Sequence, residues 1–403
     1  MTRLRVLYFS RTDIGLTDNG GSLCGRSHLR ALASDPAIEL SVAIAGPKML
    51  EEATRKFTTS LGVELNFLPL TKSRTPDPLR LLRYFPRKYP LAHEKQSRRQ
   101  RHIDQQFAGV LKDTKPDAVI VDYLPSAFYI PSLFSDSRPR CLITLNREAD
   151  FHMEQYATRG ANSRSPILKI AYRRWTRVER SIHQRFHGVI ALTENDLFTE
   201  DRGPLVKAVI PAFLEPAERR WTYSANRRVG FIGNIAHFPN RLAMEWICTR
   251  LAPATAKLDS SIRFRMIGAD MASVPPSWRH PSIDFLGLSN RHQVEEEFTQ
   301  NDIFIAPIDN DYGSKIKLLE CISFGAPFLA TRSALSGLSF LRDIPLIELE
   351  HPEAGARTLC KLIGGKKTLP DLSEKIGLQV QEFRTSQDGV WGRVISNVVQ
   401  AAS

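Results

Sequence analysis

Apolar and polar positions along the chain fall into two successive series of short apolar runs separated by helix-length segments. The first series has runs at Leu4–Ser10, Leu40–Ala45, Val63–Leu68, Ala118–Asp122, Arg140–Leu145 and Gly188–Leu192. These runs are continuous rather than alternating, which predicts buried strands of a parallel sheet covered on both faces. Helices are predicted at Arg26–Ala33, through His102–Leu111, and over Ile167–Phe186. In the last, Ile170, Trp175, Val178 and Ile182 recur at helical spacing and basic residues fill the other faces. Gly15–Gly25 reads as a glycine-rich loop, and Thr193 as the N-cap of a short helix over Thr193–Phe198.

Val206–Phe213, with Pro211 ending a short strand, reads as a hinge. The second series then predicts strands at Val229–Ile232, Arg263–Ile267, Ile283–Leu286, Ile303–Ala306 and Pro327–Thr331. Helices are predicted at Arg241–Leu251, His292–Gln300 and Lys315–Phe324, and Glu374–Val399 is mostly helical. With 403 residues, the chain fits two α/β domains of roughly 200 residues each. Boundaries are expected at 1–208 and 209–385, with 386–403 as a last helix. In such open sheets ligands bind beyond the carboxyl ends of strands, so the loops that follow strands are the ones to read.

Composition adds two constraints. Five scattered cysteines (Cys24, Cys141, Cys248, Cys321, Cys360) without Cys-x-x-Cys spacing predict reduced, mostly buried thiols and no zinc site. No stretch approaches a spanning helix, and Met1–Ser10 lacks the features of a signal peptide, so a cytoplasmic protein is expected. The net charge is +12, and it is unevenly placed. Met1–Glu200 holds 31 Lys and Arg against 21 Asp and Glu, leaving 24 against 22 in the remainder. The densest stretch, Lys72–Arg101, mixes Arg80, Arg83, Arg87 and Lys88 with Leu79, Leu82, Tyr84, Phe85 and Tyr89. Basic residues among apolar and aromatic ones suit an anionic membrane surface, so peripheral attachment at the inner face of a membrane is expected. No nucleic-acid motif accompanies the charge, and no nucleic-acid partner is expected.

The candidate chemistry lies in Asp311–Pro327, DYGSKIKLLECISFGAP. Gly313 and Ser314 precede a helix directly after a strand, where free backbone N–H groups and the helix dipole favour an anion. Lys315 and Lys317 add positive charge, and Glu320 lies about one and a half turns in, where a carboxylate can accept from a ribose diol. Together these are the footprint of a nucleotide-sugar.

This segment resembles glycosyltransferase family 4 of the GT-B fold, whose members follow the glutamate with a small-residue helix, then Gly-x-Pro and a strand. Here those are Glu320, Gly325, Pro327 and Phe328–Thr331, followed by Ser336-Gly337-Leu338. The resemblance extends to Arg5–Ser10 with Gly20-Gly21, to Thr144–Glu148, Tyr172–Glu179 and Gly188–Asp196, to Phe231-Ile232-Gly233 through Pro239-Asn240, to Phe285-Leu286-Gly287, and to Trp391 before the final helix. It implies two doubly wound, Rossmann-like domains facing across a cleft, with the C-terminal helix crossing back to the N-terminal, acceptor-binding domain. It also implies a retaining hexosyltransferase acting on a nucleotide-diphosphate sugar. Glu320 would bind the ribose, and Gly313 and Ser314 the phosphates or sugar. Gly233, Asn234, Gly287 and Tyr312 would line the donor site, with Gly20 and Gly21 approaching the donor phosphate.

Two positions depart from the family pattern. The family pairs two glutamates separated by seven residues, and the first position is Tyr312 here, with Asp309 and Asp311 nearby. Many members carry a histidine after a strand of the N-terminal domain, where this chain has Leu145, with Glu148, Asp150 and His152 following. Lys315 and Lys317, with Asp150 and Glu148, are therefore the expected catalytic side chains. Asp309-Asn310-Asp311 reads as a loop rather than a metal motif, so neither metal nor cofactor is expected. The expected acceptor is a lipid-linked or polysaccharide glycan of the cell envelope. A nucleotide-sugar epimerase and a non-catalytic partner on the same fold are the alternative readings.

Overall fold

The computed structural model describes residues 3–16, 20–70, 97–158, 166–198, 204–313 and 315–403. The chain divides into two compact units. One comprises Met1–Met153, Asn162–Ala212 and Asp388–Ser403; the other comprises Glu154–Ala161 and Phe213–Gln387. The sequence placed the changes of domain after residues 208 and 385. The units change at Phe213 and Asp388.

The first unit is built on a seven-stranded, wholly parallel sheet. Its strands are β1 (Leu4–Ser10), β2 (Ile38–Gly46), β3 (Leu65–Pro69), β4 (Ala118–Asp122), β5 (Arg140–Thr144), β6 (Gly188–Ala191) and β7 (Val206–Val209), in the order β3-β2-β1-β4-β5-β6-β7. Helices α1 (Gly20–Ser34), α2 (Glu51–Ser60), α3 (Ser97–Thr114), α4 (Glu148–Thr158) and α5 (Pro166–His183) connect them. One face buries Leu7, Phe9, Val119, Val121 and Leu142 against Phe107 of α3 and Val178 and Ile182 of α5. Phe9 and Phe107 meet edge to face at 4.9 Å.

Several local expectations change. Gly20 and Gly21 begin α1 instead of lying in a loop, because Ser22 in the first turn anchors to the Asp13 carbonyl at 2.8 Å. Thr193 precedes only a 3₁₀ turn, and its hydroxyl donates to the Asp196 carboxylate at 2.8 Å rather than capping a backbone N–H. The expected hinge at Val206 is the edge strand β7. Helix α2 was not foreseen.

The second unit carries a five-stranded parallel sheet: β8 (Arg228–Ile232), β9 (Arg263–Ile267), β10 (Ile283–Phe285), β11 (Ile303–Ala306) and β12 (Phe328–Ala330), in the order β10-β9-β8-β11-β12. Helix α6 (Phe238–Trp246) runs through a π-helical turn at Ile247–Leu251 into α7 (Ala252–Leu258), and α8 (Arg291–Gln300) and α9 (Ile316–Phe324) follow. The helices α10 (Pro352–Gly364), which the sequence reading lacked, and α11 (Thr368–Ser386) complete it. The five cysteines are unpaired, and four of them are buried. No helix among the described residues is long and apolar enough to cross a membrane.

The last helix, α12 (Val390–Ala402), belongs to the first unit and packs on β5, β7 and α1. Two glycines make that contact close. A Cβ on Gly188 of β6 would lie 2.4 Å from Val398 Cγ2, and one on Gly392 would lie 2.8 Å from Ala37 Cβ. The Gly392 N–H donates to the Asp35 carboxylate at 2.8 Å, and buried Trp391 sits 5.8 Å from the His28 ring. Overpacking such a contact costs about 1–3 kcal/mol. Gly188→Ala is therefore expected to lower the urea midpoint accordingly, and adding Val398→Ala should recover most of the loss. Simple additivity of the two substitutions would show that they do not share a contact.

Candidate functional site

In the second sheet, β9 and β10 build outward from β8 on one side, and β11 and β12 on the other. The strand order thus reverses between β8 and β11, and the carboxyl ends of strands at such a switch are the usual ligand position in an open α/β sheet. The β8 loop is held by close backbone approaches. Gly233 N–H donates to the Ile267 carbonyl at 3.0 Å, and Ile235 N–H to that of Gly268 at 3.0 Å. Gly268 has φ +103°, and a Cβ there would lie 2.2 Å from the Gly233 oxygen, so the β9 loop can cross only as glycine. The Gly268 N–H donates in turn to the Gly287 carbonyl at 2.8 Å, tying in the β10 loop.

Asn240, in the first turn of α6, closes this side. A Cβ on Gly233 would lie 2.6 Å from the Asn240 amide carbon. That amide donates to the Asn234 carbonyl at 3.1 Å and accepts from Lys317 Nζ at 2.6 Å. Asn234 is fixed further by its own side chain, which accepts from Ala236 N–H at 2.8 Å. Lys317 thus links α9 to the β8 loop, with its ammonium 5.7 Å from the Phe231 ring. Asn240 was not among the expected site residues; the Pro239-Asn240 pair after a strand was its only trace in the sequence.

The β11 loop presents the start of α9. Tyr312 is buried, Gly313 turns the chain with φ +68°, and Ser314 lies outside the described residues. Lys315 was expected to point its charge at a ligand. Its buried ammonium donates instead to the carbonyls of Tyr312 at 2.6 Å and Gly313 at 2.9 Å, bracing the loop. Burial, and then Lys315, draws the Lys317 ammonium down to about 8.

Glu320 follows on the same helix, 8% exposed. Burial raises its carboxyl above the ordinary range, against the lowering pull of the Arg291 guanidinium, whose Nη1 donates to Glu320 Oε1. Arg291 is the first residue of α8 and also pairs with Glu295 at 2.8 Å. Its position just after Asn290 gave no sign in the sequence of this role. Gly233, Asn234, Gly287, Tyr312, Gly313, Lys315, Lys317 and Glu320 thus all lie in loops or the helix at the carboxyl edge of one sheet.

Gly20, Gly21, Glu148 and Asp150 belong to the first unit. Gly20 and Gly21 form the first turn of α1. Glu148, expected as a catalytic side chain, has no exposed surface. Burial, and then neighbouring Glu179, pushes its carboxyl well above the ordinary range. Burial also pushes Glu179 up to about 7, although it accepts from the N–H groups of Glu148 at 2.8 Å and Ala149 at 3.1 Å at the start of α4. His152 is pulled down to about 4 by burial and stacks on Trp175 at 4.2 Å. Asp150 differs: held by Arg147 Nε at 2.9 Å and Tyr172 Oη at 2.9 Å, it lines a cavity of about 220 Å³ with Thr176, Arg180 and Phe198. Arg80, Arg83, Arg87 and Lys88 lie outside the described residues.

The two parallel sheets with their helices form a GT-B fold, the architecture of a large class of glycosyltransferases. Residues 226–364 match the family model described as Glycosyl transferases group 1, and that match includes every donor-side residue above apart from Gly20 and Gly21. The chain is similar in structure to TarM (11% identity, TM-score 0.65, 98% of this chain and 99% of that one). It is also similar to sucrose-phosphate synthase from Thermosynechococcus elongatus (12%, TM-score 0.64, 99% and 98%). A third similar structure is Anabaena HepE in complex with UDP (13%, TM-score 0.60, 98% and 99%). No curated protein sequence matches the chain. Fold and family model together support glycosyl transfer.

The Lys317 ammonium carries a pH signature. A diphosphate held beside this ammonium would favour its charged form and raise it above the free value of about 8. Affinity should therefore be full below pH 8 and fall as pH rises through it, by up to about tenfold per pH unit. Calorimetric titration of UDP from pH 6.5 to 9.5 should show the fall in the wild type and a flatter profile in Lys317→Arg. Parallel profiles would remove Lys317 from the anion site.

Proposed function

We propose that the chain is a retaining, family 4-like hexosyltransferase that moves a sugar from a nucleotide-diphosphate donor to an acceptor hydroxyl. The observation carrying this reading is the convergence of Gly313, Lys315, Lys317 and Glu320 on one helix start, at the strand-order switch of the second sheet. Backbone N–H groups at that start and the Lys317 ammonium would neutralise the leaving diphosphate, with Lys315 holding the loop's shape and adding charge behind it. Glu320 would accept from the ribose hydroxyls, and the loops at Gly233–Asn234 and Gly287 would face the rest of the nucleotide. Solved proteins of this fold have been seen with UDP, which suits such a donor.

The reaction in this reading proceeds without a metal ion, because two lysines and a helix start already supply positive charge at the leaving group. Ser314 would join the phosphate contacts, and Tyr312 would take the place of the family's sugar-contacting glutamate. Gly20 and Gly21, at the start of α1, would approach the donor phosphate. Asp150, on its cavity in the first unit, would meet the acceptor. The excess positive charge of the N-terminal half, including Arg80, Arg83, Arg87 and Lys88, suits an anionic, lipid-linked or polysaccharide acceptor at the inner face of a membrane.

A thermal-shift panel of nucleotide-sugars should raise the melting temperature of the wild type, because a ligand binding only the native state stabilises it. Glu320→Ala should weaken the responding donor roughly ten- to a hundredfold, matching about 1.5–3 kcal/mol for a hydrogen bond to a charged group. EDTA should leave turnover unchanged, and the product should keep the donor's anomeric configuration by NMR. Unchanged donor binding in Glu320→Ala would overturn the site. Epimerised donor accumulating without acceptor would replace transfer by epimerisation.

A further inference from the structure

Arg291 occupies a position that its own helix disfavours. It is the first residue of α8, where the helix dipole presents partial positive charge and disfavours a cation. Asn290 and Gln293 form a capping box that fixes this end: Gln293 N–H donates to Asn290 Oδ1 at 2.9 Å, and Asn290 N–H to Gln293 Oε1 at 2.9 Å. Within that rigid start the Arg291 side chain is held at three points. Its Nε donates to Glu295 at 2.8 Å, its guanidinium lies 6.0 Å from the Phe324 ring, and its Nη1 reaches Glu320 Oε1 on a different helix. The Glu295 contact lies within α8 and would form wherever α8 sat. Glu320 is the partner that requires this placement.

A carboxylate has two oxygens and about four acceptor sites. Arg291 takes Oε1. We propose that Arg291 is a positioning residue of the donor site: it holds Glu320 by one oxygen, in the ionised form, and leaves the other to accept from the ribose hydroxyls of the donor. This rests on the donor-site reading above. The groups facing Glu320 are Arg291 and Glu295 from α8, and Lys317 and Cys321 on its own helix. Glu295 opposes ionisation and Cys321 carries no charge, so among the described residues Lys317 would remain to favour it without Arg291. A protonated Glu320 would turn one oxygen from acceptor to donor, and would be free to rotate.

The test measures affinity for UDP, GDP, ADP, CDP and dTDP by calorimetry on the full chain. The tightest binder is then followed in wild type, Arg291→Gln, Arg291→Lys, Glu320→Ala and Arg291→Gln/Glu320→Ala, with melting temperatures confirming folding. Arg291→Gln is expected to lose about tenfold in affinity at pH 7.5 and more at pH 6, with Arg291→Lys recovering part of the loss. In the Glu320→Ala background Arg291→Gln should change nothing further, because its effect passes through Glu320. An equal loss in both backgrounds, or no loss in a folded Arg291→Gln protein, overturns the positioning role and leaves the donor site standing. Should no diphosphate bind the wild type, the donor-site reading falls and this inference with it.

Discussion

The loop architecture at the carboxyl edge of the second sheet depends on the hydrogen bond between Lys317 and Asn240. The Asn240 amide has one arrangement that satisfies both neighbours. Its nitrogen donates to the Asn234 carbonyl and its oxygen accepts from the Lys317 ammonium; reversed, it would set donor against donor. The amide can lie there only because Gly233 offers no Cβ, and Gly233 holds its place only because Gly268 lets the neighbouring loop cross its carbonyl. Backbone close approach in two loops therefore decides where a lysine on a third element puts its charge. Burial draws that ammonium to about 8, so its charge persists at neutral pH with a small margin.

The two units treat helix starts in opposite ways. At α4 the N–H groups of Glu148 and Ala149 already carry a partner, the Glu179 carboxylate supplied from α5. That arrangement consumes the anion-binding capacity of the helix start, and burial raises both carboxyls above the ordinary range. At α9 the residue before the helix, Lys315, makes no side-chain cap and turns its ammonium back on its own loop. The chain thus fills one helix start internally and surrounds the other with positive charge. In α4 the carboxylate is part of the fold; at α9 an external anion suits the charge.

Much of this was legible in the sequence. Continuous apolar runs gave the strands β1, β4 and β11 to the residue, because parallel strands buried on both faces leave few polar positions to blur their ends; β9 was placed as closely although Arg263 and Arg265 alternate with its buried positions. The strand–Gly–Lys–Lys–Glu order located α9 and its charge. What failed to show is tertiary. Nothing local to Arg291 indicates a partner twenty-nine residues away on another helix. Lys315 and Glu148 were assigned outward roles from residue type, whereas their directions follow from loop closure and from burial against Glu179. Gly20 and Gly21 read as loop because glycine disfavours helices, a preference overridden once Ser22 anchors the first turn to Asp13.

The return of α12 to the first unit makes that unit discontinuous in the chain, with residues 213–387 belonging to its neighbour. At about 5–20 residues per second of synthesis, these 175 residues separate β7 from α12 by roughly nine to thirty-five seconds. For that interval a nascent first unit has the surface that later receives Trp391, Ile395 and Val398 uncovered, including the bare backbone at Gly188. The first unit therefore cannot close its apolar surface until its neighbour has been synthesised, and the glycine that makes the finished contact close lies in the part sealed last.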